Sequence, residues 1–169
     1  MLYRLILLLA VTSLSVSCHL SSASSSAEIA KSIGGVKIKQ KTGDKAGIPV
    51  SNKLTVVNVF DDFSTGCPTG NRFETMERLN SLGAAGTTLL LIFSEKHFST
   101  QDLENFQAIL PMADSLVQGD IEAVRPHLTE GKLLVVLDSK GSVIWLEKPD
   151  TTEQQVFSEI SRLIQSAGK

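Results

Sequence analysis

The chain has 169 residues, 42% of them apolar and 20% charged, with a formal net charge of −2. This is ordinary globular composition, which excludes a disordered, collagenous or disulfide-stapled chain. Fifteen basic side chains face eighteen acidic ones once residues 1–17 are set aside, so the basic footprint that nucleic acid requires is missing and nucleic acid is not an expected partner.

Residues 1–17 read as a signal peptide: Arg4 supplies the positive start, Leu5 to Val11 the apolar run, and small residues follow from Thr12. The run gives out well short of the roughly 20 apolar residues that a membrane span needs. The stretch from Leu14 to Cys18 resembles the lipobox of bacterial lipoproteins, with Leu14 one step earlier than that motif places it. The resemblance implies cleavage before a lipidated Cys18; the alternative is an ordinary cut nearby, such as after Ala23. Residues 18–27, with Ser21, Ser22 and Ser24 to Ser26, then form a flexible tether, and residues 28–169 form one domain. His19 follows the cysteine where an inner-membrane retention signal would need Asp. The expected address is therefore outside the cytoplasm, membrane-anchored, and on the outer membrane where there are two.

Ala27 to Lys53 reads as an exposed hairpin turning at Gly43-Asp44. Leu54 to Phe60 is β-branched and almost wholly apolar, which predicts a central strand covered on both faces. Gly66, Pro68 and Gly70 make Asp61 to Asn71 a loop. Arg72 to Leu82 carries Phe73, Met76, Leu79 and Leu82 on one helical stripe. Thr87 to Phe93 is a second buried strand, parallel to the first through the intervening helix. Ser99 caps a third helical pattern with Leu103 and Phe106 that Pro111 stops. Met112 to Leu128 admits a short strand and a helix from Asp120 to about His127. Leu133 to Leu137 and Val143 to Leu146 flank the Asp138-Ser139-Lys140-Gly141 turn as an antiparallel hairpin. Thr151 or Thr152 caps a last helix whose buried face is Val156, Phe157, Ile160, Leu163 and Ile164.

The order β, α, β, α, ββ, α resembles the thioredoxin fold over most of Leu54 to Gln165, an α/β architecture with a central mixed sheet flanked by helices. The Asp-Ser-Lys-Gly turn is similar to that of redoxin and TlpA-type thiol proteins. In such proteins the working sulfur sits after the first central strand at the start of the next helix, where unpaired backbone N–H groups and the helix dipole favour a thiolate. Here that stretch is Ser64-Thr65-Gly66-Cys67-Pro68-Thr69-Gly70. Read as C-x-x-C, Cys67 is the first cysteine and Gly70 replaces the second. Counted from the strand, Ser64 replaces the first and Cys67 is the second.

The second alignment makes the stretch similar to the peroxiredoxin signature, which implies Cys67 as the reactive thiol and Ser64 as the hydroxyl that positions substrate. Thr65, Gly66, Pro68 and Arg72 are the substrate-binding candidates; Arg72 and Arg125 are the two arginines considered for holding a thiolate. The sequence differs from the family at Phe60, where a proline stands, at Gly70, where Glu often stands, and at Thr129-Glu130-Gly131-Lys132, where thioredoxin-fold enzymes place a cis-proline.

With Cys18 lipidated, Cys67 has no partner in the chain, so turnover requires an external thiol reductant or a protein disulfide partner. No cofactor is implied. His19, His97 and His127 are scattered, which gives no metal-site spacing, and Asp61-Asp62 reads as a solvated strand end. Two functions follow: a single-cysteine thiol oxidoreductase or peroxidase, or a catalytically degenerate lipoprotein that keeps the fold as a protein-binding module. In the latter Cys67 packs as a small hydrophobe.

Overall fold

A computed structural model describes residues 24–39, 43–62, 70–82, 86–109 and 115–168. Its strands are β1 (Lys37–Lys39), β2 (Lys45–Gly47), β3 (Leu54–Phe60), β4 (Thr87–Ser94), β5 (Leu116–Asp120), β6 (Lys132–Asp138) and β7 (Val143–Leu146). Its helices are α1 (Ser26–Gly35), α2 (Gly70–Ser81), α3 (Thr100–Ile109) and α4 (Glu153–Ala167). The strands form one mixed sheet in the order β2-β1-β5-β4-β3-β6-β7.

β3 lies inside the sheet because its side chains suit no exposed position: all seven residues are buried. It runs parallel to β4, from Leu54↔Thr87 to Phe60↔Phe93. On its other side it runs antiparallel to β6, from Leu54↔Asp138 to Phe60↔Lys132. Strand alternation sends its residues to two cores. Leu54, Val56 and Phe60 join Met76 and Leu79 of α2 and Val156, Ile160 and Ile164 of α4, with Leu103 and Phe106 of α3 packed alongside. Val57 and Val59 join Ile29 and Ile33 of α1, with Ile121 and Val124, on the opposite face. Each fully buried aliphatic side chain contributes about 1.5–3 kcal/mol, so the helices are held chiefly by these stripes.

The close approach of β1 to β5 requires Gly119. A Cβ there would stand 2.8 Å from Ile92 Cγ2 and 3.3 Å from the Lys37 carbonyl oxygen.

Both central strands, the parallel β3–β4 pair, the β6–β7 hairpin and the last helix are as the periodicity predicts. Thr152 caps α4 in a reciprocal box with Gln155. Three expectations are corrected. Ala27 to Lys53 is not a hairpin throughout. Its first nine residues belong to α1, which Ser25 caps in a box with Glu28 and which buries Ile29 and Ile33 one turn apart. Because the capping serine lies within a serine-rich run that continues to Ser26, the run conceals the helix start, and α1 begins inside the residues assigned to the tether. Asp120 to His127 is no α-helix: β5 ends at Asp120 and one turn of 3₁₀ helix spans Arg125–His127, with Pro126 in its first turn. Finally, Leu82 lies beyond the end of α2 and is exposed.

Candidate functional site at the carboxyl end of the parallel strands

β3, β4 and β5 are mutually parallel, so the segments that follow them converge at one end of the sheet. In α/β folds this is where ligands bind, outside the carboxyl ends of the strands. Asp61 follows β3, His97 follows β4, and Glu122 and Arg125 follow β5. The Asp61 carboxylate is largely buried, and its Oδ2 accepts from Arg125 Nη1. Arg125 also donates to Glu122, from Nε at 3.2 Å and from Nη2 at 3.1 Å. These bonds to Glu122, with the charge of Asp61 beside them, raise the Arg125 pKa above its ordinary value. The Asp61 backbone N–H donates to the Gly131 carbonyl at 2.8 Å, which ties the end of β3 to the segment before β6.

His97 completes the cluster. Its Nδ1 lies 3.1 Å from the Asp61 carbonyl oxygen and 3.3 Å from Asp61 Oδ1. A carbonyl only accepts, so Nδ1 carries the hydrogen and donates it. The neutral ring therefore keeps its acceptor lone pair on Nε2, which takes no hydrogen-bond partner among the described residues. With 36% of the side chain exposed, the ring reaches water while its other edge is anchored.

The start of α2 is pinned differently. Arg72 is buried, and its Nη2 lies 2.5 Å from Glu147 Oε1 while its Nε lies 2.8 Å from Glu153 Oε1. One cation thus joins the first turn of α2 to the residue after β7 and to the first residue of α4. Its donors are committed to these two carboxylates. Asn58 of β3 is buried, and among the described residues neither of its amide atoms has a hydrogen-bond partner.

The Thr129-Glu130-Gly131-Lys132 stretch is a tight reverse turn. Thr129 and Lys132 exchange both backbone hydrogen bonds, at 2.9 and 3.1 Å. Glu130 and Gly131 both take positive φ, 49° and 68°, as a two-residue hairpin turn of mirror-image type requires. Beside it opens a cleft of about 720 Å³, lined by Thr129, Glu130, Lys132, Leu146, Glu147 and Ser24 among others.

Of the residues singled out from the sequence, Cys67, Ser64, Thr65, Gly66, Pro68 and Cys18 lie outside the described residues. Arg72 is placed in the ion-pair network just described, and Arg125 is brought against Asp61. The reading of Asp61 as a solvated strand end is corrected. Its carboxylate is buried and paired because Arg125 and His97 arrive from two other strands. Sequence reasoning missed His97 and Glu122; the available signal was that each follows closely on a strand of the parallel set. Among the described residues no group of three His, Cys, Asp or Glu side chains is placed to hold a metal ion, and no helix is long and apolar enough to cross a membrane.

No protein-family model matches the sequence, and no curated protein matches it. Solved structures do match. A thioredoxin-like protein from Aeropyrum pernix superposes with a TM-score of 0.57 at 13% identity, over 77% of this chain and 88% of that one. The chain has a thioredoxin-like fold. Peroxiredoxin Q from Xanthomonas campestris is similar over 82% of this chain and 96% of its own, at 16% identity and a TM-score of 0.56. The thioredoxin domain of a thiol-disulfide oxidoreductase from Bacteroides vulgatus is similar over 78% and 94%, at 9% identity and 0.53. Within this thioredoxin-like fold, β3 and α2 are the strand and helix between which Cys67 falls in the sequence.

Proposed function

We propose that this chain is a thiol-dependent oxidoreductase or peroxidase of single-cysteine type, acting outside the cytoplasm through Cys67. The observation that carries the reading is the fold itself together with chain order: Cys67 lies between the central strand β3 and α2, three residues ahead of Gly70, where that helix begins. A thiol ahead of a helix start loses its proton more readily than a free one. Among solved structures of similar fold are a peroxiredoxin and a thiol-disulfide oxidoreductase domain, which supports thiol chemistry as the class of activity.

Ser64 positions the substrate with Thr65, Gly66 and Pro68 around it. The Cys67 thiolate attacks one oxygen of a peroxide, or one sulfur of a disulfide, and the other atom leaves. An external thiol then attacks the oxidised sulfur, and a second thiol restores it. The Ser-rich tether and a lipidated Cys18 hold the domain at a membrane outside the cytoplasm.

The deciding experiment titrates Cys67 by thiolate absorbance and follows peroxide and disulfide consumption with external thiol present, for wild type against Cys67→Ser. A pKa below the free-thiol value of about 8.5, with turnover abolished in Cys67→Ser, supports the reading. A pKa at or above that value with no turnover overturns it in favour of a binding module. For the anchor, Cys18→Ala releases the protein from membranes; a variant that still partitions with them overturns lipidation.

A further inference from the structure

We propose that the cleft between α1, the Arg125–His127 turn and the β6–β7 hairpin binds a long-chain carboxylate, with Lys132 and Lys148 holding the head and the open side of the α1-face core holding the chain. The assignment goes beyond the thiol reading and does not rest on it.

The cleft exists because the core on the α1 face does not close. Ile29 of α1 and Leu133 of β6 are buried within that core, and Leu128 and Leu146 pack against it while only half-buried. All four line the cleft. Pairing carries the β6–β7 ladder as far as Glu147, whose backbone N–H donates to the Leu134 carbonyl at 3.0 Å. Pro149, also in the lining, has no N–H with which to extend it. On the other side His127 pins α1 and the residues ahead of it, with Nδ1 2.8 Å from Ser24 Oγ and Nε2 2.9 Å from Ser32 Oγ. The helix is therefore held at a fixed distance from Leu146 and cannot slide inward to cover it. Apolar walls fixed in this way are preorganised, so a ligand does not first have to separate packed side chains. The volume, about 720 Å³, falls within the roughly 300–1,000 Å³ of small-molecule sites.

The charges select the ligand. Glu130, Lys132, Glu147 and Lys148 line the cleft together with His127. Both oxygens of Glu147 are taken by Arg72, at 3.3 and 2.5 Å, and both ring nitrogens of His127 are taken by the two serines. Lys132 and Lys148 make no side-chain hydrogen bond or ion pair among the described residues, although Lys132 is half-buried. Glu130 stands exposed in its turn. The unspent charge is thus two cations against one exposed acid. An ammonium drawn partly out of water gains from a carboxylate, and the apolar surface beside it gains from hydrocarbon. An anionic head on a straight alkyl chain satisfies both at once. A neutral alkyl chain leaves the half-buried ammonium without a partner, and a peptide brings backbone N–H and C=O groups that leucine and proline walls cannot satisfy.

The test titrates dodecanoate, below its micelle concentration, into the full chain by calorimetry. One saturable site is expected. Each CH₂ removed from the ligand is expected to weaken binding about fourfold, and acetate is expected not to bind. Lys132→Gln with Lys148→Gln is expected to raise Kd about tenfold or more. Lys31→Gln with Lys39→Gln removes the same charge from exposed positions on α1 and β1 and is expected to leave Kd unchanged. Absence of saturable binding overturns the proposal, and so does an equal weakening by the two pairs of substitutions, which marks unspecific attraction to a cationic surface. An unchanged Kd in Lys132→Gln with Lys148→Gln overturns the assignment of the head. Amide NMR shifts on adding dodecanoate give a measurement on wild type alone: they are expected to centre on residues 126–134 and 146–149, and shifts centred elsewhere overturn the site.

Discussion

Arg72 Nη2 lies 2.5 Å from Glu147 Oε1, a pair 75 residues apart in the chain with both side chains almost wholly out of water. Together with Glu153 this pair locks the first turn of α2 against β7 and α4. Removing the cation leaves a buried carboxylate without compensation, which costs about 3–5 kcal/mol. Arg72→Met is expected to lose that much stability in chemical denaturation, and Arg72→Met with Glu147→Leu to recover most of it. A loss confined to substrate KM, with stability unchanged, would instead place Arg72 at the substrate.

Glu130 occupies the first central position of the 129–132 turn at a φ of 49°, a region where a long side chain is disfavoured and Asn is at home. Glu130→Asn is expected to raise stability by about 0.5–1 kcal/mol, read as a shift of the denaturation midpoint with the slope unchanged.

Ile160 of α4 is fully buried in the core that α2 shares. Truncation to Ala removes its transfer energy and leaves a cavity, so Ile160→Ala is expected to cost about 2–5 kcal/mol. The hydroperoxide rate of the folded fraction should not change, because Ile160 lies beneath the sheet face and not at its end.

The start of α3 gives a pH signature. Asp102 accepts from the Ser99 hydroxyl and backbone N–H at 2.6 and 2.7 Å, and these bonds hold its carboxyl below its ordinary pKa. A carboxyl lowered in the folded state contributes stability above its unfolded pKa and loses it as the pH falls through the folded one. Wild type is therefore expected to exceed Asp102→Asn in stability by a constant margin above about pH 4 and to lose that margin below it. Thermal melts of the two proteins between neutral and strongly acidic pH check this.

Elements with a strong local signature are legible in the sequence alone. Leu54 to Phe60 has to be a central strand because no solvated position accepts seven such side chains, and Ile160 and Ile164 have to face inward because one turn separates them. Where two local signals overlap, the reading fails: Ser25 serves as helix cap and as a member of a serine run at once, and only the docking of Ile29 and Ile33 against Val57 and Val59 distinguishes the two.

By itself the sequence determined the fold class, the two central strands, the last helix and the isolation of Cys67 from any second cysteine in the domain. These depend on composition and on periods of two or 3.6 residues, which are local properties. Only the tertiary structure decided that Asp61 is buried against Arg125, 64 residues on, and anchors His97, 36 residues on. The same holds for Arg72, which is spent on Glu147 and Glu153. Such meetings are set by strand order and register, which bring distant carboxyl ends to one edge of the sheet, and no local pattern encodes which charged side chains will find each other there.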